Sequence, residues 1–530
     1  MIWHIVKKDL RLLWSAAALV AAFQLCAAIA THVLDAGAES IQLRLLATML
    51  QAMIPVAVIL AVISVVQTDP LPGTRQDWLI RPVRRAHLVL AKLVFIILLL
   101  QLPMWLVDVG AELVDGFSLP AAMMSAASRN LGMFCTYALP AILVAVVTRS
   151  LGEALAMAAF CLIAYMAVFL GLLSLLLGVK ASIMDSGSHW MFTAGFDLSV
   201  LLGAAVVLTL QYSRRRTLLA RWLVAAGGAV VMNLAFVPWP VAFGMQSALS
   251  PLPAASRPVQ MAFNPLAKRF QLPLGAPPVL TTALQLPLLF SGLPADSVVL
   301  MDRADVRISA PDGTSLYRGT SNISVDGQGS IIWARFWIHT GPADAPTHPL
   351  FQRIYLPPEV YARLAHRQVR LSVDYSLTLF GQAAHYALPA VGGPELVPDL
   401  GRCSTAIDAE GDDLMLGCLS ATRPASCATA YLEETGTGVH NYPVDICAPE
   451  YSPALFGQAL PDAIYRTRGQ VPFFDRSGLA HYPVDGSKLA HSRLVVTTFR
   501  PLAHFTRHVD TPALQLQELT GQTATSPAKH

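Results

Sequence analysis

The first ~240 residues of the chain contain about seven apolar runs, each long enough to cross a lipid bilayer, whereas the remaining ~290 contain none. The predicted runs are 12–34, 46–66, 88–108, 130–148, 154–178, 192–212 and 222–244. Only 13% of the residues are charged, against about 25% in an ordinary soluble domain. The composition therefore predicts a membrane bundle joined to a polar domain.

The charges of the short loops predict the orientation, because Lys and Arg are kept on the cytoplasmic side. Basic residues precede the first run and fill every second loop: Lys7, Lys8 and Arg11; Arg75, Arg81, Arg84, Arg85 and Lys92; Arg149; and Arg214, Arg215, Arg216 and Arg221. The loop after the third run instead carries Asp108, Glu112 and Asp115. We therefore expect a cytoplasmic N-terminus and, with an odd number of spans, an extracytoplasmic chain after about residue 245. A cleaved signal peptide ending near Ala28-Ile29-Ala30 is the alternative for the first run.

The second half of the chain predicts β structure. Strand-like alternation covers 297–301, 305–309, 331–338, 369–375 and 493–499, and turn sequences separate these stretches. A short helix is expected at 357–364. The predicted fold is a polytopic α-helical bundle of about seven spans followed by an extracytoplasmic, mainly antiparallel, sandwich-like β domain. The predicted divisions are the bundle with its N-terminal amphipathic helix (1–244), a Pro/Leu-rich connector (245–290), the β-rich domain (291–518) and a disordered tail (519–530).

The cysteines divide in the same way. Three lie in or near the spans, and Cys403, Cys418, Cys427 and Cys447 lie in the exported half, where disulfides are expected. The midpoints of Cys403–Cys418 and Cys427–Cys447 fall on turn sequences, so these pairs can each face across a hairpin. A nested arrangement with Cys418–Cys427 stays open, and a zinc site is a further alternative.

No motif of catalysis or nucleotide binding occurs in the sequence. There is no phosphate-binding G-x-x-x-x-G-K-[ST] loop, no H-E-x-x-H and no G-x-S-x-G. The histidines of the second half are scattered, and no basic stripe with aromatic residues suggests nucleic acid. We therefore expect no enzyme, no cofactor, no metal and no nucleic-acid partner. In the first half, Glu153 lies near the inner boundary and suits a surface or capping role.

Residues 1–14 predict an amphipathic helix. Ile2, Ile5, Val6, Leu10 and Leu13 fall at helical spacing, and the charged Lys7, Lys8, Asp9 and Arg11 are assigned to the other face. Such a helix either lies in the headgroup layer or is the polar flank of the first span.

The loop over residues 68–85 is the most informative local stretch. Its Pro72-Gly73 turn precedes Thr74, an N-cap candidate with Asp77 three residues later, and Pro82 ends the helix that follows. The pattern predicts a compact helix that offers Trp78, Leu79 and Ile80 to a partner. The arginines of this loop either contact a partner or headgroups, or only fix the orientation.

The segment Lys7-Lys8-Asp9-Leu10-Arg11 together with this inner loop resembles the permease subunits of type-2, export-class ABC transporters over about residues 1–215. The matching loop positions are Asp69, Gly73, Thr74, Leu79, Pro82, Val83, Arg85 and Lys92. The family usually has Glu where Asp69 stands, and its permease core has six spans, whereas this chain adds a seventh run and a large external domain.

The resemblance implies a bacterial inner-membrane subunit that pairs with an identical or different permease and is driven by a separate cytoplasmic ATPase. The predicted ATPase-coupling residues are Asp69, Gly73, Thr74, Asp77, Trp78, Leu79, Arg81, Pro82, Arg84 and Arg85. The external β domain would then bind a substrate or partner. The alternative is a non-transporting, membrane-anchored binding or assembly protein, and an anchored hydrolase is the third hypothesis.

Overall fold

The computed structural model describes residues 2–35, 41–69, 85–176, 189–214, 216–233, 237, 239–266, 282–320, 323–325, 331–333, 337–339, 350–407, 413–420, 427–434, 444–445, 465–472 and 489–520. Its α-helices are α1 Ile2–Asp35, α2 Ile41–Gln67, α3 Arg85–Ile96, α4 Leu102–Val114, α5 Leu119–Met133, α6 Leu139–Val147, α7 Leu151–Leu176, α8 His189–Thr209, α9 Thr217–Asn233, α10 Trp239–Ala248 and α11 Pro358–Leu364.

Short π-helical turns interrupt the long apolar helices. Ile97–Gln101 joins α3 to α4, Phe134–Ala138 joins α5 to α6, and Leu210–Arg214 extends α8. Pro103 and Pro140 follow the first two turns closely. A proline removes the backbone hydrogen bond to the residue four positions earlier, and the wider π turn accommodates that loss without ending the helix.

Five helical stretches within the described residues are long and apolar enough to cross a membrane: Ile2–Val33, Leu45–Gln67, His87–Val114, Leu119–Val147 and Leu151–Val168. They overlap the first five predicted runs, but the first and the fourth begin at residues 2 and 119, where the sequence predicts residues 12 and 130. The sixth and seventh runs correspond to shorter apolar helices, Leu198–Arg214 and Thr217–Val230. The seventh run does not form one helix, because α9 ends at Asn233 and α10 begins at Trp239.

Two further details differ from the sequence prediction. The N-terminal amphipathic segment and the first span form one uninterrupted helix, α1. The third span continues to Val114, so that Asp108 and Glu112 are buried within α4 and do not lie in a loop. Their assignment to a loop was wrong because the local sequence does not show the tertiary packing that buries them, including the partners of Asp108 on other helices.

A buried stripe runs along α1 at positions 6, 9, 17, 20, 24 and 27. The intervals of three, four and eight residues are those of one helical face. Val6, Ala17, Val20 and Ala27 join the core of the bundle. Asp9 and Gln24 are the polar members of the stripe, and each meets a buried polar cluster described below.

The second half of the chain is built from strands: β1 Gln260–Phe263, β2 Thr282–Ser291, β3 Ser297–Ser309, β4 Ser315–Thr320, β5 Ile323–Val325, β6 Ile331–Trp333, β7 Trp337–His339, β8 Leu350–Leu356, β9 Gln368–Pro389, β10 Gly392–Val397, β11 Gly401–Ile407, β12 Asp413–Ser420, β13 Cys427–Glu434, β14 Val444–Asp445, β15 Tyr465–Pro472, β16 Ser492–Asp510 and β17 Leu514–Gln515. Every described strand pair is antiparallel, as predicted.

A central sheet has the strand order β14-β13-β16-β9-β3-β4. One hydrophobic core joins it to the β1-β2-β8 sheet, and a second core joins it to the β10-β11-β12-β15 sheet. The long strands β9 and β16 contribute to both cores. Bulges interrupt their pairing between Thr498 and Phe499 and between Pro501 and Ala503, where the proline cannot donate to the ladder.

The β region begins earlier than the sequence suggests. Strands β1 and β2 lie inside the stretch 245–290, which reads as a connector because of its Pro and Leu content. Leu284, Leu286 and Leu288 alternate along β2 and are all buried. Residues 284–288 are all buried, but the two-residue period of the leucines is still a strand signal, which the Pro and Leu content conceals. The predicted short helix is present as α11.

Helix α10 packs against strands β9 and β16 of the central sheet. Trp239 donates its indole N–H to Ser376 Oγ on β9 at 3.0 Å. Ser247 donates to the backbone oxygen of His504 on β16 at 2.6 Å, and the Phe243 ring contacts the His504 ring edge-on at 6.1 Å between centroids. The β region is therefore held against the helix that precedes it by polar as well as aromatic contacts.

A second contact links the β region to the turn between α4 and α5. Arg402 on β11 donates from Nη1 to the backbone oxygen of Asp115 at 2.7 Å. The Asp115 carboxylate lies 3.1 Å from Nδ1 of His32 near the end of α1. The β region thus contacts the bundle at the C-terminal end of α4.

Candidate functional site at the ends of segment 70–84

Five polar side chains from α1, α3 and the end of α2 meet beside the residues that flank segment 70–84. Helix α1 supplies Lys8 and Asp9, the residues just after α2 supply Thr68 and Asp69, and α3 supplies Lys92. We call these five residues the Lys92 cluster. Asp69 is the last described residue before the segment, and α3 begins immediately after it.

Lys92 is the centre of the cluster. Its ammonium donates to Asp9 Oδ2 at 2.8 Å and lies 2.9 Å from Asp69 Oδ2. It also hydrogen-bonds Thr68 Oγ1, and Thr68 donates to Asp9 Oδ1 at 3.2 Å. Lys8 donates to both oxygens of Asp69 at 2.8 Å. Two lysines and two aspartates therefore balance each other in charge.

The charge balance matters because two members of the cluster, Lys92 and Asp9, are buried. The side chain of Lys92 is 5% exposed and that of Asp9 is 0% exposed, whereas Lys8 is 44% exposed. Burial alone would raise the pKa of Asp69, but Lys92 and Lys8 outweigh it and hold the pKa of this carboxyl below its ordinary value. Buried charges of this kind are tolerated only when they are paired and hydrogen-bonded.

A second set of polar contacts lies next to the Lys92 cluster and involves α2, α6, α7 and α9. Gln67, the last residue of α2, donates to Thr148 Oγ1 after α6 at 2.9 Å. Arg221 on α9 donates to the Val147 oxygen at 3.0 Å and forms an ion pair with Glu153 on α7. Glu153 also accepts the backbone N–H of Arg149 at 2.6 Å, which is the capping role that its position predicts. Together with the Lys92 cluster, these contacts link α1, α2, α3, α6, α7 and α9.

The predicted coupling residues divide into two groups. Asp69 lies in the Lys92 cluster, and Arg85 is the first residue of α3. The others, and the short helix predicted for them, lie outside the described residues: Gly73, Thr74, Asp77, Trp78, Leu79, Arg81, Pro82 and Arg84. The two parts of the family-like pattern, Lys8-Asp9 and Asp69…Lys92, are in direct contact.

The assignment of Asp9 to the polar face of the N-terminal helix was wrong. Asp9 is fully buried and continues the apolar stripe of α1, while Leu10 is exposed. The signal is present in the sequence, because Val6 and Leu13 lie three and four residues away on the same face. An acidic residue inside an apolar stripe indicates a buried basic partner, which is Lys92.

The cysteines of the β region follow the hairpin arrangement where they are described. Cys403 and Cys418 face each other in the register of β11 and β12 and form a disulfide. This excludes the nested Cys418–Cys427 bond, and it leaves neither of these two thiols available to zinc. Cys427 is also disulfide-bonded, and its predicted partner Cys447 lies outside the described residues.

The β region also contains an open cavity of about 400 Å³. Met261, Phe263 and Pro265 provide apolar walls, and His508 and Asp510 of β16 provide polar groups. The His508 ring lies between two carboxylates, 2.6 Å from Asp374 Oδ1 and 2.9 Å from Asp510 Oδ2. Both contacts raise the pKa of His508, with the hydrogen bond to Asp374 as the largest cause.

Comparison of the chain with protein-family models and with curated proteins gives no match.

Proposed function

We propose that this chain is a permease-like membrane subunit of an export-class ABC system, and that a separate ATPase acts on it through segment 70–84. The ATPase would be a separate polypeptide, because the chain has no nucleotide-binding motif of its own. It would be cytoplasmic, because segment 70–84 is basic. A second permease subunit, identical or different, would complete the bundle. The bilayer would be the bacterial inner membrane.

The observation that carries this proposal is the Lys92 cluster. It fixes the start of segment 70–84 through Asp69 and the helix that follows it through Lys92, and both attach to α1. A force on the segment is therefore delivered to α1, α2 and α3 together. This is the mechanical requirement for a loop that transmits nucleotide-driven movement into a membrane bundle.

The same geometry supports the proposed orientation. Lys92 and Asp115 lie on one helical stretch, His87–Val114 and the turn after it, about 35 Å apart at 1.5 Å per residue. The Lys92 cluster adjoins the basic 70–84 segment, which the distribution of Lys and Arg assigns to the cytoplasm. Arg402 contacts Asp115 at the opposite end. We therefore assign the β region to the periplasm and count the shorter helices, Leu198–Arg214 and Thr217–Val230, as the sixth and seventh spans.

The test is the retention of an ATPase in a detergent extract. Affinity-purified wild-type chain is expected to carry a stoichiometric ATP-hydrolysing subunit, identified by mass spectrometry. Trp78→Ala combined with Arg81→Ala should remove it. Arg216→Ala provides the control, because this exposed arginine lies in another basic loop. Equal ATPase content in all three preparations would refute the assignment of segment 70–84.

The orientation has its own test. A maleimide that does not cross membranes is applied to intact spheroplasts that carry single cysteines on a background without native thiols. Ser315→Cys in the β region should react, and Lys7→Cys should react only after the cells are opened. The reverse pattern would overturn the assignment of the two sides.

The second candidate function is a membrane-anchored binding or assembly protein without transport. The cavity beside Phe263 and Asp510 favours it, since its volume and mixed apolar and polar walls suit a small ligand. This hypothesis predicts a purified chain with no ATPase at all, and no change in composition after Trp78→Ala with Arg81→Ala. The co-purification experiment therefore separates the two candidates.

A further inference from the structure

Two acidic residues of α4 are buried inside the bundle at the end nearest the β region. Asp108 and Glu112 are four residues apart, on one face of the helix, and both are almost fully buried. Asp108 has several partners. It forms an ion pair with Arg129 on α5. It also accepts hydrogen bonds from Gln24 Nε2 on α1 at 2.5 Å and from Asn130 Nδ2 on α5 at 3.2 Å.

Glu112 is in a different situation. Ser125 on α5 lies beside it, but neither carboxylate oxygen accepts a hydrogen bond of ordinary geometry from the described residues. Two amide oxygens of the same cluster, Gln24 Oε1 and Asn130 Oδ1, are also buried without a donor. Their NH₂ groups are held by the Asp108 carboxylate, so the amides cannot turn to donate elsewhere. Three helices thus contribute buried oxygens where donors are lacking.

The charges do not balance either. Asp108 and Glu112 supply two negative charges against the one positive charge of Arg129. Among the described residues, the other charged groups near this end are already engaged: Asp115, just after α4, with His32 of α1, and Arg402 of β11 with the Asp115 backbone. An unpaired carboxylate in an apolar interior costs several kcal/mol, which a bound proton removes. The proton also supplies an O–H donor.

We propose that the cluster of Gln24, Asp108, Glu112, Arg129 and Asn130 is a proton-binding site, with the proton carried by Glu112 in the conformation described here. The proton is held as a neutral carboxylic acid, and no other bond is made or broken. Glu112 lies one turn from the Asp115 contact with Arg402. Separation of the β region from this turn would admit water to Glu112 and release the proton. This inference does not depend on an ATPase partner.

Infrared difference spectroscopy of the reconstituted full chain tests the proposal directly. At pH 7 the wild type should show the carbonyl stretch of a protonated carboxylic acid, and Glu112→Gln should remove it. Glu153→Gln should leave the band in place, because Glu153 forms an ion pair with Arg221. Identical spectra for the wild type and Glu112→Gln at pH 7 would show that Glu112 is ionised and would overturn the proposal.

A carbodiimide provides a second test and identifies the occupant. Dicyclohexylcarbodiimide reacts with protonated carboxyls in apolar surroundings, so peptide mapping should find the adduct on Glu112 and not on Asp108. Labelling should fall as the pH rises and should be the same in NaCl and in choline chloride. Protection by NaCl at pH 7 would show that the site binds a metal cation in place of a proton, and the proposal would fail.

Discussion

Lys92 on α3 donates a hydrogen bond to Asp9 on α1 at 2.8 Å, across a separation of 83 residues in the chain. The pair is buried, and Asp69 shares the same ammonium. Lys8 and Asp9 of α1 and Asp69, the residue before segment 70–84, are therefore joined with Lys92 in one ion-pair cluster.

Removal of Lys92 is expected to destabilise the bundle strongly. Lys92→Met removes the buried cation nearest to Asp9 and leaves only the more distant and more exposed Lys8, at 3.6 Å. We expect a loss of about 3–5 kcal/mol in the free energy of unfolding. Lys8→Met should cost at most about 1 kcal/mol, since Lys8 is largely exposed. Thermal unfolding in detergent, followed by circular dichroism, measures both.

The double variant Asp9→Asn with Lys92→Met separates pairing from packing. It removes both charges, so it should recover part of the stability lost in Lys92→Met, with a coupling energy of about 0.5–3 kcal/mol. Strict additivity of the two single changes would contradict a direct ion pair.

Gly116 is expected to tolerate no side chain. Its φ of +83° lies in the left-handed region, and a Cβ would lie 1.7 Å from Nη1 of Arg402. Gly116→Ala should therefore cost about 1–2 kcal/mol from the backbone alone and should also displace Arg402. Gly110→Ala is the control, because its Cβ would meet nothing within 4 Å.

The two effects at this turn can be separated. Arg402→Ala should lower the melting temperature of the wild type, but it should change little in the Gly116→Ala background, where the contact is already broken. An equal loss in both backgrounds would show that Arg402 acts elsewhere.

Loss of the disulfide should destabilise the β region. The Cys403–Cys418 bond closes a loop with a sequence separation of 15, for which the chain-entropy model gives about 3 kcal/mol. Cys403→Ser with Cys418→Ser should lower the calorimetric transition of the β region accordingly. Cys26→Ala, at a free thiol of α1, should leave that transition unchanged.

The stability of the contact between α10 and His504 is expected to depend on pH. Burial lowers the pKa of His504 from 6.5 to about 4. Between these values the unfolded chain binds the proton and the folded chain does not, so stability should fall as the pH decreases from about 6.5 to about 4. We expect up to roughly 2–3 kcal/mol, measured as the shift in melting temperature and reduced in His504→Gln.

His508 supplies the comparison of opposite sign. Asp374 and Asp510 raise its pKa, so its contribution is fully present below pH 6.5 and is lost as the pH rises through the raised value. His508→Gln should therefore flatten the stability profile above pH 6.5. It should also change the acidic side, because His508 is one of the groups that lower the pKa of Asp510. An unchanged profile above pH 6.5 would contradict the prediction.

The sequence alone predicts the coarse architecture because long apolar runs and alternating strands are local signals. The first five spans, the antiparallel β region and the short helix α11 all follow from such signals. The division of the seventh run is also visible afterwards, since the sequence has prolines at 238 and 240, which end or kink a helix.

The polar clusters could not be derived in the same way. Asp108 resembles a loop residue until Gln24 and Arg129 are known to lie beside it, and these partners come from other helices. The pairing of Asp9 with Lys92 likewise depends on how α1 and α3 pack. Charge suggests exposure, and only the tertiary arrangement shows which charges are neutralised inside the molecule.

The paired strands β9 and β16 extend through both cores of the β region, and their pairing is antiparallel along almost the whole of their length. Since a ladder of this length resists shear despite its two bulges, the two sheets packed against it cannot rotate freely about each other. A displacement of β9 and β16 where they contact α10 must therefore reach their opposite ends as a tilt of the whole β region. A ligand that binds at one edge of the β region would thereby change the load on the membrane helices without any local rearrangement between them.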